Sequence, residues 1–228
     1  LATALRHHSK WADAIACMAL DHPAVREVTA ELVHRGKRVV SIVSDFAPAV
    51  RSAYVGLDNQ SAGRTAAYLL GRFCAGRSGS VAVIAGSRIY RAHTEREMGF
   101  QSLMEEMFPR LQPVGVREGH DDRDENYRHA LSILDQHPGL VGIYNAGGSS
   151  DGIARALRER GRSETIFIGH GLSPDTRRLL LNGTMDAVIN SDPDSLVATA
   201  IEACRPSSTG AIHTIKMDIF LRENLPTT

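Results

Sequence analysis

The sequence predicts an α/β fold built as two doubly wound lobes, each with a mainly parallel sheet. Short runs rich in β-branched residues alternate with amphipathic helical stretches, which is the pattern of βαβ units. The chain has 228 residues, of which 43% are hydrophobic, and this suits the cores of two small lobes. It contains no internal repeat, low-complexity tract or long linker. Two lobes must therefore be woven from one chain by several crossings.

The individual elements follow from the residue pattern. Residues 14–18 form the first strand candidate, and Asp21, His22 and Pro23 then supply a cap and a proline for a helix that Gly36 ends. Further strands are predicted at 39–43, 81–85, 114–117, 141–144, 165–169 and 187–190, with late strands within 212–221. Further helices are predicted to start near Asn59, Glu95, Asp124, Ser150, Pro174 and Asp194.

Composition argues against several classes of protein. Lys and Arg total 26 and Asp and Glu total 26, so the chain carries no overall positive charge for nucleic acid. No apolar run reaches the roughly 18 residues that span a bilayer, and no signal peptide is visible. The three cysteines, Cys17, Cys74 and Cys204, show no Cys-x-x-Cys spacing, and the ten histidines show no metal-ligand spacing. We therefore expect a cytoplasmic protein with reduced cysteines, no metal, no cofactor and no membrane partner.

The most informative segment is 94–103, Thr-Glu-Arg-Glu-Met-Gly-Phe-Gln-Ser-Leu, which follows a strand and opens a helix. Arg96 is thereby placed at the carboxyl end of a strand, where open α/β sheets bind ligands. Its planar guanidinium can grip two neighbouring acceptor oxygens. The alternative is a surface arginine paired with Glu95 or Glu97. An arginine at a cleft mouth would support little of the core, so we expect its removal to change fold stability little.

Other segments also carry candidate functional residues. Asp45 follows the strand at 39–43, and its carboxylate can accept two hydroxyl hydrogen bonds. In residues 54–67, Asp58 can cap a helix whose small residues allow it to lie close against a sheet. Asn145, in the segment 142–157, ends a strand and offers both a donor and an acceptor. Two further motif segments lie at 167–175 and 181–193, and Arg-Glu-Asn-Leu-Pro stands at 222–226.

The ordered set of segments, with Glu-Arg-x-x-Gly-Phe at 95–100, resembles the ligand-binding core of the lactose-repressor/galactose-repressor (LacI/GalR) family and of periplasmic sugar-binding proteins. The resemblance implies a periplasmic-binding-protein-like type I fold, in which two lobes joined by three crossings hold a ligand in the cleft between them. It implies an N-terminal lobe at 1–57 and 193–210, a C-terminal lobe at 58–190, and late strands with the last crossing at 211–228. It also implies that the first strand, and in repressors a DNA-binding headpiece, precede Leu1.

The function implied by the resemblance is effector sensing by a transcriptional regulator that binds a sugar or polyol. Operator DNA would be contacted only through the headpiece, and a homodimer is expected. Family members usually carry an acidic residue near Gly171 and glutamine at Ser191, so a larger or differently substituted ligand, or one held mainly by other residues, is expected. The implied ligand-binding residues are Asp45, Phe46, Arg96, Asn145, His170 and Ser191, with Tyr90 and Arg91 as further candidates.

Three alternatives stay open at this point. For Phe46 and Tyr90, core packing is as good an explanation as an apolar face for a sugar ring. The function could be that of a periplasmic sugar-binding protein of a transporter, which shares the fold. The pattern Gly-x-Ser-x-Gly at 148–152 also permits an α/β-hydrolase with Ser150, Asp192 and His213 as its triad, but such a pattern arises easily in a glycine-rich loop. The expectation is that the protein is not an enzyme.

Overall fold

In the computed structural model of the protein, which describes residues 1–208 and 212–227, the chain forms two compact units. Unit 1 comprises Leu1–Asp58, Ile89–Ala92 and Ser191–Met217, and unit 2 comprises Asn59–Arg88, His93–Asn190 and Asp218–Thr228. The chain passes from one unit to the other after residues 58, 190 and 217, with one short excursion at 89–92. These passages are the three expected crossings. The boundary expected at 210/211 lies outside the described residues.

Helices and strands alternate along most of the described chain, as expected for this fold class, but no helix separates β2 from β3 or β9 from β10. The helices are α1 (Ala2–His8), α2 (Pro23–His34), α3 (Asn59–Phe73), α4 (Arg91–Met107), α5 (Arg123–Gln136), α6 (Ser150–Glu159), α7 (Pro174–Leu181) and α8 (Pro193–Cys204). The strands are β1 (Ala14–Cys17), β2 (Arg38–Ile42), β3 (Ala53–Gly56), β4 (Gly79–Ala85), β5 (Leu111–Glu118), β6 (Leu140–Asn145), β7 (Ile166–His170), β8 (Ala187–Ser191), β9 (Ile212–Thr214) and β10 (Met217–Phe220).

Unit 1 is built on a parallel sheet with the strand order β1-β2-β3-β9. Successive side chains of a strand point to opposite faces. Accordingly, Val39 of β2 packs in one cluster with Val28 of α2, whereas Val40 packs in another with Ala203 of α8. Because helices cover both faces, the strands are short apolar runs, and this is the doubly wound arrangement that the sequence predicted.

Unit 2 is built on a six-stranded sheet with the order β10-β8-β7-β6-β4-β5, in which the strands from β8 to β5 are parallel. Residues 81–85 of β4 are all buried, which explains their uninterrupted apolar sequence. From β4 the chain runs to β5 on one side and then to β6 on the other side of β4. The winding of the sheet therefore reverses at β4 and β6, and ligands of open α/β sheets bind at the carboxyl ends of strands at such a point.

Two elements begin three or more residues earlier than the sequence predicts. Helix α4 begins at Arg91 instead of near Glu95. The backbone amide of Ala92 in its first turn donates to the hydroxyl of Ser44, 3.2 Å away, so a residue distant in sequence caps this helix. Strand β5 begins at Leu111 instead of 114 and contains Pro113. The proline is tolerated because β5 is the edge strand of its sheet.

Helices α3 and α4 cross in unit 2 through two glycines. A Cβ atom added to Gly63 would lie 1.9 Å from the carbonyl oxygen of Arg96, and one added to Gly99 would lie 2.1 Å from that of Gln60. The small residues of α3 were expected to allow close packing against a sheet. Ala62, Ala66 and Ala67 are indeed fully buried, but Gly63 serves a different contact. It brings the backbone of α3 against the backbone that carries Arg96.

The described part of the chain gives little indication of membrane, thiol or metal chemistry. No described helix is both long and apolar enough to span a bilayer. Cys17, Cys74 and Cys204 are free thiols. Burial raises the pKa of the Cys17 thiol to about 11, so this group is an unreactive thiol at neutral pH. Among residues 1–208 and 212–227, no group of three or more His, Cys, Asp or Glu side chains is arranged to hold a metal ion.

Candidate functional site

The candidate site of unit 2 lies at the carboxyl ends of β4, β6 and β7, where the winding of the sheet reverses. The residues that end these strands or follow them directly are Gly86, Asn145 and His170. Helix α4 runs back from this edge and carries Arg96. Parallel strands thus bring together side chains that are far apart in sequence.

Arg96 is buried at this edge, with 8% of its surface exposed. Its Nε donates to Oδ1 of Asn59 over 2.8 Å, and its Nη1 donates to the carbonyl oxygen of Ala146 over 2.9 Å. Glu97, one of the two expected surface partners, instead forms an ion pair with Arg88. The guanidinium joins α3, α4 and the loop after β6, and these contacts argue against the expectation that Arg96 contributes little to fold stability.

Tyr144 and His170 form a polar pair at the ends of β6 and β7. The Tyr144 hydroxyl lies 2.7 Å from Nε2 of His170, and the tyrosine ring stacks on Phe100 with a centroid separation of 4.9 Å. Burial raises the pKa of Tyr144, so the hydroxyl keeps its proton. Burial, helped by the positive field of Arg96, holds the pKa of His170 well below its ordinary value.

Two arrangements of this hydrogen bond are compatible with these protonation states, because a protonated hydroxyl and a neutral imidazole can each donate or accept. Where Tyr144 donates to Nε2, the imidazole proton of His170 resides on Nδ1; where Nε2 donates to the hydroxyl, Nδ1 is an acceptor. In the described part of the chain, Nδ1 of this partly buried histidine has no hydrogen-bond partner. His170, which the sequence proposed as a ligand-binding residue, therefore offers one neutral ring nitrogen, which is a donor when Tyr144 donates to Nε2.

His93 belongs to the same cluster, although the sequence did not single it out. It is 7% exposed, and its Nδ1 lies 3.0 Å from the backbone nitrogen of Ser87, from which it accepts a hydrogen bond. Burial and the positive field of Arg96 lower its pKa, so this imidazole is also neutral. A positive guanidinium beside two neutral imidazoles makes Arg96 the dominant donor of the cluster.

Asp121 is a second residue that the sequence analysis missed. It stands in the left-handed backbone region with φ of 55°, in the loop after β5, and is exposed. Its Oδ1 accepts from the backbone nitrogen of Gly148 over 2.6 Å. A Cβ atom on Gly86 would lie 2.4 Å from this oxygen, and one on Gly147 would lie 2.5 Å from it. Glycines after β4 and β6 therefore make room for the carboxylate, and they are the only signal of this residue in the sequence.

Asn145 and Ser150 form a network within the loop after β6. Asn145 is fully buried, and its amide nitrogen donates to the carbonyl of Gly148 over 2.8 Å and to the hydroxyl of Ser150 over 2.9 Å. Its Oδ1 accepts from the backbone of Gly147. The structure therefore uses both amide hydrogens of Asn145 to shape the loop, and its role as a ligand-binding residue remains a prediction.

The alternative of a hydrolase triad does not find support in these contacts. Ser150 is 3% exposed, and Asn145 is the only hydrogen-bond partner of its hydroxyl in the described part of the chain. Ser150 belongs to unit 2, whereas Asp192 and His213 belong to unit 1. Asp192 caps α8 through the backbone nitrogen of Ser195 at 2.7 Å. A buried serine without a base next to it is not an activated nucleophile.

In unit 1, the expected ligand residue Asp45 is held in an ion pair. Both of its carboxylate oxygens accept from the guanidinium of Arg51, over 2.6 Å and 2.8 Å, and Oδ1 also accepts from Ser41 over 2.6 Å. The side chains of Arg51 and Asp45 are 3% and 13% exposed. The carboxylate retains lone pairs for a hydroxyl, but its orientation is set by Arg51, which the sequence analysis did not name.

The remaining expected ligand residues differ in how far they are buried. Phe46 is fully buried in a core cluster of unit 1, which is the core-packing alternative, and its ring offers no face to a ligand. Tyr90 is partly buried and Arg91 exposed at the start of α4, where the charge of Arg91 helps lower the pKa of Asp21, although the Arg26 pair is the main cause. Ser191 ends β8 and is partly exposed.

The chemistry of the unit 2 edge suits a neutral ligand rich in hydroxyl groups. A hydroxyl both donates and accepts hydrogen bonds. Arg96 supplies donors, Asp121 supplies an acceptor and His170 supplies a neutral ring nitrogen, at the carboxyl ends of four neighbouring strands. A two-unit α/β protein with polar groups at the carboxyl ends of its strands has the architecture of a small-molecule binding protein.

The chain belongs to the periplasmic binding protein domain family, whose profile matches residues 3–206. This membership agrees with the expected fold class. No protein with curated annotation matches the chain.

Solved structures of solute-binding proteins have the same fold. A glucose-galactose binding protein, GanP, from Geobacillus stearothermophilus is 25% identical, with a TM-score of 0.90 over 99% of this chain and 82% of that one. An ABC transporter solute-binding protein from Burkholderia graminis in complex with D-arabinose is 21% identical, with a TM-score of 0.91 over 98% and 80%. One from Agrobacterium vitis bound to α-D-tagatopyranose is 19% identical, with a TM-score of 0.88 over 98% and 80%.

These comparisons correct the expected location. The matched structures are solute-binding proteins of ABC transporters, and one from Actinobacillus succinogenes is named as periplasmic. The expectation of a cytoplasmic protein, drawn from free cysteines and the absence of a visible signal peptide, is therefore wrong. Free cysteines do not identify the compartment, because a buried thiol packs as a small hydrophobic group wherever the protein is located. The absence of a visible signal peptide does not identify the compartment either.

Proposed function

We propose that this chain is a monosaccharide-binding protein that serves an ABC transporter. The observation that carries the proposal is the cluster of Arg96, His170 and Asp121 at the point where the sheet of unit 2 reverses its winding. Support comes from the family and from the ligands named for similar structures, which are glucose or galactose, D-arabinose and tagatose. This function is the alternative that the sequence left open, a periplasmic sugar-binding protein of a transporter.

In this proposal, each residue of the cluster has a separate task. Arg96 donates two charge-assisted hydrogen bonds to adjacent sugar oxygens, since its fork fits a pair of acceptors. His170 donates from Nδ1 to a third oxygen, and Asp121 accepts from a sugar hydroxyl. Tyr144 keeps the imidazole in the required tautomer by donating to Nε2. Asp45 of unit 1 remains a prediction as a further hydroxyl acceptor.

The experiment is a thermal-shift screen followed by calorimetry. The panel contains D-glucose, D-galactose, D-arabinose, D-tagatose, D-allose and D-fucose, with phosphorylated sugars as comparisons. A sugar at about 100 times its dissociation constant should stabilise the fold by about 2.7 kcal/mol. Asp121→Asn, which removes the acceptor charge but keeps the size, should weaken the best sugar roughly tenfold.

The matched control is Asp135→Asn, an exposed carboxylate of unit 2 that pairs with Arg160 outside the cluster. It should leave sugar affinity unchanged. Equal sugar affinities of Asp121→Asn and Asp135→Asn would show that Asp121 does not bind the sugar. If no sugar of the panel stabilises the protein, the proposed function is wrong.

The regulator interpretation has one specific observation in its favour, the Arg-Glu-Asn-Leu-Pro ending at 222–226, whose first three residues form a 3₁₀ turn. The matches named above are to solute-binding proteins, and they do not support a regulator, a DNA partner or a dimer. Locating the full-length protein in its own host separates the two interpretations. A transporter component is found outside the cytoplasmic membrane, whereas a regulator stays with the nucleoid.

A further inference from the structure

Unit 2 also has a cavity at the end of its sheet where β4 and β5 begin, which is the end opposite to the candidate site. It has a volume of about 600 Å³, within the range of small-molecule pockets. Its walls are the C-terminal turns of α3 and α4 and the segments that lead from them into β4 and β5. None of the candidate sugar-binding residues lines it.

The floor of this cavity is apolar and preformed. Phe108 and Leu111 supply its apolar surface. The ring of Phe108 rests directly on Gly71, where a Cβ atom would lie 2.4 Å from the ring. Any larger residue at position 71 would displace the ring, so glycine here shapes the floor. The turn beside it is left-handed at Ala75 and Gly76, with φ of 48° and 81°.

Three arginines surround the floor: Arg72, Arg77 and Arg110. Arg77 donates to the carbonyls of Cys74 and Glu164 over 3.3 Å and 3.2 Å. Arg72 and Arg110 are exposed, and neither forms an ion pair or a side-chain hydrogen bond in the described part of the chain.

This arrangement contrasts with the arginines elsewhere on the same unit. Many of these form ion pairs, such as Arg64 with Glu106, Arg155 with Glu159 and Arg160 with Asp135. At the cavity, by contrast, the exposed Arg72 and Arg110 lie close together in the lining without such a partner in the described part of the chain.

The opposing charges are weaker than the three guanidinium groups. Helices α3 and α4 both end here, and each helix C-terminus carries about half a negative charge. The pKa of Glu164 is lowered mainly by a hydrogen bond from its own backbone, and Arg77 adds to this shift. Burial raises the pKa of Asp186, and Arg77 opposes that rise. No carboxylate lines the cavity itself. The local field at the two exposed arginines is therefore positive.

We propose that this cavity binds a small organic phosphate with an aromatic body. The ring would lie on Phe108 and Leu111, and the phosphate would meet the forks of Arg72 and Arg110, whose geometry fits phosphate oxygens. This inference does not depend on the proposed sugar function.

The test is a calorimetric titration of the whole chain with phenyl phosphate, with inorganic phosphate and phenol as the two halves of the probe. Phenyl phosphate should bind with a dissociation constant below about 1 mM, and each half should bind at least about tenfold more weakly. Raising NaCl from about 20 to about 500 mM should weaken binding several-fold, because the phosphate contacts are partly exposed.

The variant Arg72→Gln/Arg110→Gln should lose at least about tenfold in affinity. The matched control, Arg158→Gln/Arg222→Gln, removes the same charge from two exposed arginines outside the cavity, which also form no ion pair in the described part of the chain, and it should bind as the wild type does. Amide shifts on titration should include Gly71 and Gly76. No saturation by phenyl phosphate, equal losses in both variants, or shifts confined to other residues would each overturn the proposal.

Discussion

Replacing Gly63 by alanine tests how α3 and α4 position Arg96. The new methyl carbon would lie 1.9 Å from the carbonyl oxygen of Arg96 and 2.7 Å from its carbonyl carbon. Both are helix backbone atoms, so no side-chain rotation relieves the overlap, and the helices must move apart. Overpacking costs about 1–3 kcal/mol and occasionally more, whereas alanine gains about 1 kcal/mol over glycine in a helix.

Because the clash is with backbone, we place the overpacking cost at or above the upper end of that range. The expected net loss is therefore about 2–3 kcal/mol, or roughly 5–10 °C in the melting temperature of a chain of this size. Arg96 would also lose its alignment with Asn59 and Ala146, so sugar affinity should fall with stability. Thermal unfolding followed by circular dichroism measures the first effect, and calorimetry with the best sugar of the panel measures the second.

Gly139→Ala is the matched control, because a Cβ atom there meets nothing within 4 Å. It should change stability by less than about 0.5 kcal/mol. If Gly63→Ala has the same melting temperature as Gly139→Ala and the wild type, the close crossing of α3 and α4 is not present in solution.

Three further predictions follow from the same contacts. Arg96→Ala should destabilise the sugar-free protein by about 2–4 kcal/mol in urea unfolding, since two buried acceptors lose their donor; an unchanged midpoint would contradict the contacts described. Stability should fall by up to about 1.4 kcal/mol per pH unit below about pH 6.5, because His170 is protonated more readily in the unfolded chain. His170→Gln should reduce this slope while His34→Gln, at an exposed position, should not, and equal slopes in all three proteins would refute it. Ser150→Ala should leave any hydrolysis of a generic ester at its background level, and loss of a clear activity would revive the hydrolase interpretation.

The sequence predicted the elements that depend on local apolar pattern. Residues 81–85 are buried on both faces, so their uninterrupted apolar run was enough to identify β4. The start of α4 was missed because Ser44, far away in sequence, caps it. A local pattern carries no information about such a partner.

The candidate site shows the same limit. Arg96 and His170 were identified because each lies in a segment with a recognisable motif. Asp121 was missed because its position depends on a left-handed loop and on room left by Gly86. Phe46 was named as a ring for the sugar, but it packs in the core, since adjacent residues of a loop can face opposite ways.

The most direct test of the central claim is a calorimetric titration of the best monosaccharide into the wild type and Arg96→Lys. Lysine keeps the charge but cannot reproduce the planar fork. The account predicts saturable binding to the wild type and a loss of about tenfold or more in Arg96→Lys, with a fold that remains cooperative. Equal affinity for both proteins would show that the carboxyl edge of unit 2 does not hold the sugar through Arg96.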